Sequence, residues 1–146
     1  MSAHRVFRTR SDEETVRLGA ELARELPRRA TVLLIGNLGA GKTTLAKGIV
    51  EGLGAAPADQ VSSPTFALVH EYGDGPSVYH IDLYRLDRSS QVASVGLDEI
   101  LGRDGVKLIE WGERFLELMP AERIEIRLET LAGNEREISI YLVTVT

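Results

Sequence analysis

Nine residues, Gly36-Asn37-Leu38-Gly39-Ala40-Gly41-Lys42-Thr43-Thr44, limit what this chain can fold into more than any other feature. The first eight match G-x-x-x-x-G-K-[ST], a loop that requires a buried strand before it and a helix after it. Both are legible. Thr31–Ile35 reads Thr-Val-Leu-Leu-Ile, a continuous apolar run suited to a strand covered on both faces, as in a parallel sheet. Beyond the loop, Ala46, Ile49, Val50 and Leu53 recur at helical spacing, and Gly54 marks the stop. Gly39, Ala40 and Gly41 let backbone N–H groups wrap around phosphate oxygens with no bulky side chain between. The helix that follows points its positive dipole end at the same anion. In this reading Lys42 reaches the β- and γ-phosphates and Thr43 offers its hydroxyl to Mg²⁺. Thr44 reaches a phosphate nearer the ribose.

Such a site also needs a carboxylate across from Thr43, at the end of a neighbouring strand, to hold Mg²⁺ directly or through water. Two acids meet that description. Asp82 follows Val78-Tyr79-His80-Ile81, and Glu110 follows Val106-Lys107-Leu108-Ile109. Residue type and position leave open which binds metal and which positions water. Ser62-Ser63-Pro64-Thr65 lies where many proteins of this kind place a segment that senses the γ-phosphate. His80, between two large side chains in a strand, reads as packed or hydrogen-bonded, and three scattered histidines with no cysteine argue against a zinc site. Arg85 reads as reaching a phosphate or pairing with an acid, with a structural ion pair the default, and Trp111 as a residue packed at a strand end close to the metal. No Asp-x-x-Gly and no Asn-Lys-x-Asp occurs, so adenine is expected rather than guanine. A small-molecule kinase is the enzymatic alternative, but the chain has little spare length for an acceptor site and an arginine-bearing lid. A nucleotide-gated binding module, with hydrolysis incidental, carries the same motifs.

The rest of the chain sets the context. Its 146 residues suit one domain, 1–146, with a sizeable core. The absence of cysteine removes disulfides and thiolate chemistry and fits a reducing cytosol, so a cytoplasmic location is expected. No secretory signal or membrane-length apolar run is visible. Residues 1–60 carry 9 Lys and Arg against 7 Asp and Glu, whereas 61–146 carry 8 against 15. That acidic second half argues against a protein that clamps nucleic acid through a broad basic face of its own.

Local patterns fill in an α/β fold. Val6–Thr9 reads as a short strand, and Ser11-Asp12-Glu13-Glu14 as a capping box opening an amphipathic helix that Pro27 stops. The segments 66–72 and 78–84 read as a strand hairpin around Gly-Asp-Gly-Pro-Ser. A broken helix over 89–101, a buried strand over 106–111 and a short helix over 113–118 follow. Alternating apolar and charged residues at 123–129 and 138–142 predict a C-terminal β-hairpin. The expected architecture is a P-loop NTPase fold: a mixed sheet flanked by helices, parallel near the loop and antiparallel toward the edges.

The order of these pieces resembles the TsaE family, the small ATPases of the bacterial machinery that makes threonylcarbamoyladenosine on tRNA. The resembling stretches are GNLGAGKTT (36–44), SSPTFALVHEY (62–72), VYHIDLYRL (78–86), GLDEIL (96–101) and VKLIEWG (106–112). The resemblance implies ATP or ADP with Mg²⁺ at the glycine-rich loop. It implies Thr43 and Glu110 on the metal side, Asp82 as a catalytic or metal-linked acid, and Ser63–Thr65 as a nucleotide-sensing loop. It implies Ser11 near the base and Arg136 near the nucleotide. It further implies a weakly hydrolysing accessory subunit that binds the TsaB–TsaD pair, with tRNA held mainly by those partners and no membrane involved. The family's usual Asp ahead of the loop leucine is Asn37 here.

Overall fold

In a computed structural model, which describes residues 2–144, seven strands form one sheet in the order β1-β7-β6-β2-β5-β4-β3. The strands are β1 (Ser2–Thr9), β2 (Arg29–Ile35), β3 (Val69–Tyr72), β4 (Val78–Asp82), β5 (Gly105–Glu110), β6 (Arg123–Thr130) and β7 (Arg136–Val143). The helices are α1 (Asp12–Ala23), α2 (Lys42–Gly52), α3 (Ser89–Ser94) and α4 (Leu97–Leu101). The centre is parallel, with β2 between β5 and β6 and β4 beside β5. The flanks are antiparallel, β3 on β4 and β6-β7-β1 as a meander. This is the mixed P-loop NTPase sheet expected from the sequence, with the C-terminal hairpin in place.

Alternation along the strands divides the core in two. Val32, Leu34, Leu108, Ile126 and Ile138 face α1 and α2, meeting Leu18, Leu22, Leu45 and Ile49. Leu33, Ile81 and Ile109 face the other way, onto Val92, Leu97, Ile100 and Phe115. Because side chains on successive residues point to opposite faces, a strand buried on both sides needs an unbroken apolar run, and Val32–Leu34 supplies it.

The two helices on the first face touch backbone to backbone. A Cβ added to Gly19 would stand 2.5 Å from the Leu45 carbonyl oxygen, and one on Gly52 2.6 Å from that of Ala20. A Cβ on Gly48 would run into the Val16 peptide, 2.8 Å from its carbonyl carbon. Gly48→Ala is therefore expected to destabilise the protein by about 2 kcal/mol, because overpacking against rigid backbone outweighs alanine's better helix propensity. At this chain length that lowers Tm by about 4–8 °C. Thermal unfolding followed by circular dichroism checks it, and an unchanged Tm would mean that the helices separate at no cost.

Several boundaries differ from the sequence reading. The strand expected from Phe66 begins only at Val69, because 65–68 close a turn in which Leu68 N–H donates to the Pro64 carbonyl at 2.6 Å and Leu68 takes φ +71°. Phe66 is left 83% exposed. β4 ends at Asp82 rather than Tyr84, since the Asp82 carboxylate accepts from Tyr84 N–H at 2.8 Å and turns the chain. Trp111 leaves β5 with φ +66°, and the expected short helix is a 3-10 segment, Gly112–Leu118. Among the described residues no helix is long and apolar enough to cross a membrane.

Candidate functional site

β2 delivers the chain to the loop at the carboxyl end of the parallel strands. Gly36 sits tightly there, since a Cβ would meet the Leu128 carbonyl oxygen at 2.7 Å. Gly39 (φ +79°) and Gly41 (φ +99°) then turn through the left-handed region that side chains resist. Gly41 caps α2 with no side chain, so the first-turn N–H groups of the helix stay available to an anion. The loop walls a cavity of about 380 Å³ lined by Gly39, Gly41, Lys42, Thr43, Thr44, Ser63, Thr65, Asp82, Glu110, Trp111 and Arg136, with Asp12, Leu38 and Tyr84 completing it. Residues spread over a hundred positions of sequence thus meet around one hollow.

Lys42 is folded back onto the loop. Its Nζ donates to the Gly36 carbonyl at 2.6 Å and stands 3.6 Å from the centre of the Trp111 indole. Burial lowers the pKa of this ammonium, against the attraction of Glu110, Glu113 and Asp82. Glu113, just past Trp111, moves the opposite way: its own burial raises its carboxyl above the ordinary value, opposed by Lys42 and Arg114.

The two acids are register partners on neighbouring parallel strands, yet their surroundings differ. Glu110 Oε2 accepts from Thr43 Oγ1 at 3.1 Å and lies 2.6 Å from His80 Nε2. Asp82 Oδ2 accepts from Thr65 Oγ1 at 3.0 Å and Ser63 Oγ at 3.4 Å, while Oδ1 takes Tyr84 N–H. Glu110 therefore addresses the loop helix, and Asp82 anchors the Ser-Ser-Pro-Thr segment. Among the described residues no three His, Asp or Glu side chains converge to hold a metal unaided. A hydroxyl and a carboxylate side by side suit instead a hard cation that keeps several waters and arrives with phosphate oxygens, as Mg²⁺ does.

Two residues expected at the site from sequence stand off the cavity wall. The Ser11 hydroxyl is spent as the α1 cap, accepting from Glu14 N–H at 3.1 Å, and its neighbour Asp12 lines the hollow. Glu14 reaches back one residue further than a capping box requires, to Arg10 N–H at 2.9 Å. Ala40 turns its side chain into the core, and its carbonyl accepts from Arg136 Nε at 3.1 Å. Arg136 also donates to the Gly39 carbonyl at 3.3 Å, so the C-terminal hairpin braces the loop from outside. Arg85 makes no ion pair among the described residues. Its guanidinium lies over the Phe66 ring at 5.0 Å instead, which corrects the sequence reading: no carboxylate is in place, and the exposed aromatic is.

Sequence reasoning misses Arg114. It donates to the carbonyls of Leu83 (2.7 Å), Tyr84 (2.7 Å) and Leu86 (3.0 Å) and lies over Trp111. It therefore fixes the turn after Asp82 and one wall of the cavity. Nothing in the local pattern marks a lone arginine in a 3-10 segment for that task.

A family model described as "Threonylcarbamoyl adenosine biosynthesis protein TsaE" matches residues 9–138. A Bacillus subtilis (strain 168) protein named tRNA threonylcarbamoyladenosine biosynthesis protein TsaE is 41% identical over 139 residues, covering 94% of this chain and 85% of the relative. A Treponema pallidum (strain Nichols) protein of the same name is 38% identical over 132 residues, covering 90% and 96%. The crystal structure of Bacillus subtilis YdiB matches with a TM-score of 0.79 at 35% identity, over 98% of this chain and 88% of that one.

Proposed function

Since this chain belongs to the TsaE family of threonylcarbamoyladenosine biosynthesis proteins, we propose that it is an ATP-binding, weakly hydrolysing accessory subunit of that tRNA modification, working in the cytoplasm on a TsaB–TsaD pair. The observation that carries the nucleotide part is the meeting of Lys42, Thr43 and Glu110 in one cavity, with Thr43 and Glu110 3.1 Å apart. The loop backbone and Lys42 bind the β- and γ-phosphates, and Thr44 a phosphate nearer the ribose. Thr43 and Glu110 would hold Mg²⁺ from the protein side, and the ion would supply neutralisation of phosphate charge. Asp82 orients water, or a water on the metal, from the adjoining strand. Thr65 and Ser63, bonded to that same carboxylate, convey the state of the γ-phosphate to the surface loop that carries exposed Phe66. Arg136 holds the loop in shape. The acidic second half of the chain favours tRNA contact through the partners.

Slow hydrolysis by the isolated protein follows from its arginines. Fast P-loop NTPases stabilise the γ-phosphate in the transition state with a guanidinium, and supplying one in trans raises the rate roughly 10³–10⁵-fold. Here Arg136 is engaged by loop carbonyls, Arg114 by those of 83, 84 and 86, and Arg85 by Phe66. Steady-state ATP hydrolysis should therefore be slow for the protein alone and rise about tenfold or more when TsaB, TsaD and tRNA are added. Fast turnover alone, indifferent to the additions, would reject the accessory role and favour a self-sufficient ATP-using enzyme.

The bonds from Asp82 to Ser63 and Thr65 favour a second reading, a nucleotide-gated binding module in which hydrolysis is incidental. A hydrolysis-deficient variant that still binds ATP separates the two, because only the gated module sustains repeated rounds of tRNA modification with it.

A further inference from the structure

His80 is wholly buried in β4, between Tyr79 and Ile81. Alternation puts it on the same sheet face as Asp82, whose register partner on β5 is Glu110. Its Nε2 lies 2.6 Å from Glu110 Oε2, the oxygen that also accepts from Thr43. Its other nitrogen, Nδ1, is buried with no hydrogen-bond partner among the described residues. These facts identify the tautomer. A proton on Nδ1 would be a buried N–H without an acceptor and would turn the Nε2 lone pair toward a carboxylate, whereas a proton on Nε2 leaves only a bare lone pair at Nδ1. The proton therefore sits on Nε2 and is donated to the carboxylate.

We propose that His80 is a positioning residue that holds the Glu110 carboxylate in one orientation beside Thr43, on the metal side of the site. The proposal rests on the Mg²⁺–nucleotide reading of the site. Glu110 Oε2 has two donors, His80 and Thr43. The Thr43 hydroxyl rotates about a single bond and would also hold the ion through its oxygen, so its hydrogen bond alone leaves the glutamate side chain free to swing. His80 cannot leave: its ring has no exposed surface and sits in a strand whose five residues are all buried. A partner behind a metal-side carboxylate sets the direction in which its oxygens point, and removing such partners commonly costs 10–100-fold in metal affinity.

The test is Mn²⁺ binding to the protein–ADP complex, followed by electron paramagnetic resonance, together with ADP affinity measured without metal. His80→Leu fills the space but has no donor. It should leave metal-free ADP affinity unchanged and weaken Mn²⁺ by about 10–100-fold. His80→Gln places an amide N–H near the Nε2 position and should recover most of the loss. His80→Asn, one methylene shorter, should not. Wild-type Mn²⁺ affinity in His80→Leu overturns the proposal. So does equal affinity in the Gln and Asn variants, a comparison that stands even if the Leu variant fails to fold. Absence of ADP-dependent Mn²⁺ binding by the wild-type protein is a separate outcome: it rejects the metal reading itself and the histidine's role with it.

Discussion

Lys42→Ala is expected to lower affinity for Mg²⁺–ATP by about a hundredfold or more, through loss of charge-assisted hydrogen bonds to two phosphates, while the fold survives intact. The second half of that expectation comes from the lysine's surroundings. The ammonium is buried, and burial pulls its pKa below the ordinary 10.5. A lowered folded-state pKa means that folding disfavours the charged form. The penalty is present in full below the folded pKa and is relieved as pH rises through it toward 10.5. Removing the charge should therefore leave Tm at pH 7 unchanged or higher. Calorimetric titration with Mg²⁺–ATP reads the affinity, and thermal unfolding reads the stability. In the wild-type protein Nζ lies 3.6 Å from the centre of the Trp111 indole, and both residues line the cavity. Emission from Trp111, the sole tryptophan, should therefore change at saturating nucleotide. Unaltered ATP affinity in Lys42→Ala would remove the nucleotide reading of the loop.

Glu110→Ala should leave a protein that still binds ATP but hydrolyses it far more slowly. Metal ions contribute several kcal/mol to transition-state charge stabilisation. A misplaced ion therefore costs on the order of 10²–10³ in rate. Ground-state binding depends more on the loop backbone and Lys42 and should fall much less. Asp82→Ala should be milder on metal affinity, because its oxygens are already occupied by Thr65, Ser63 and the Tyr84 N–H. It should instead loosen the 62–65 segment. Single-turnover hydrolysis and separate nucleotide titrations distinguish the two. If both variants hydrolyse ATP like the wild type, the assignment of the acids is wrong.

The parts of the site carried on contiguous residues are legible in the amino-acid sequence. The strand–loop–helix unit is local: apolar run, glycines, lysine and amphipathic helix lie within 31–53, and each is recognisable by period or residue type. The strand-end acids are legible for a related reason, since an acid closing an apolar run must sit where the strand leaves the sheet. Their division of labour is not. Thr43 approaches Glu110 across 67 positions and Thr65 approaches Asp82 across 17, and nothing in either neighbourhood says which hydroxyl meets which acid.

The start of β3 and the end of β4 escape sequence reasoning for a different reason. Phe66-Ala67-Leu68 has good strand composition, but propensity on a half-buried edge is a weak term, and the turn closed by Pro64 and Leu68 overrides it. The sequence by itself determined the glycine-rich loop with its flanking strand and helix and the order of the elements, because both depend on short-range periodicity and on one contiguous segment. Only the tertiary structure decided that Arg136 braces the loop from the far hairpin, that Arg114 fixes the turn behind the cavity and that His80 stands behind Glu110. Each of these is a contact between strands or segments distant in sequence, and the pairing of a buried polar atom is set by what the sheet order brings beside it.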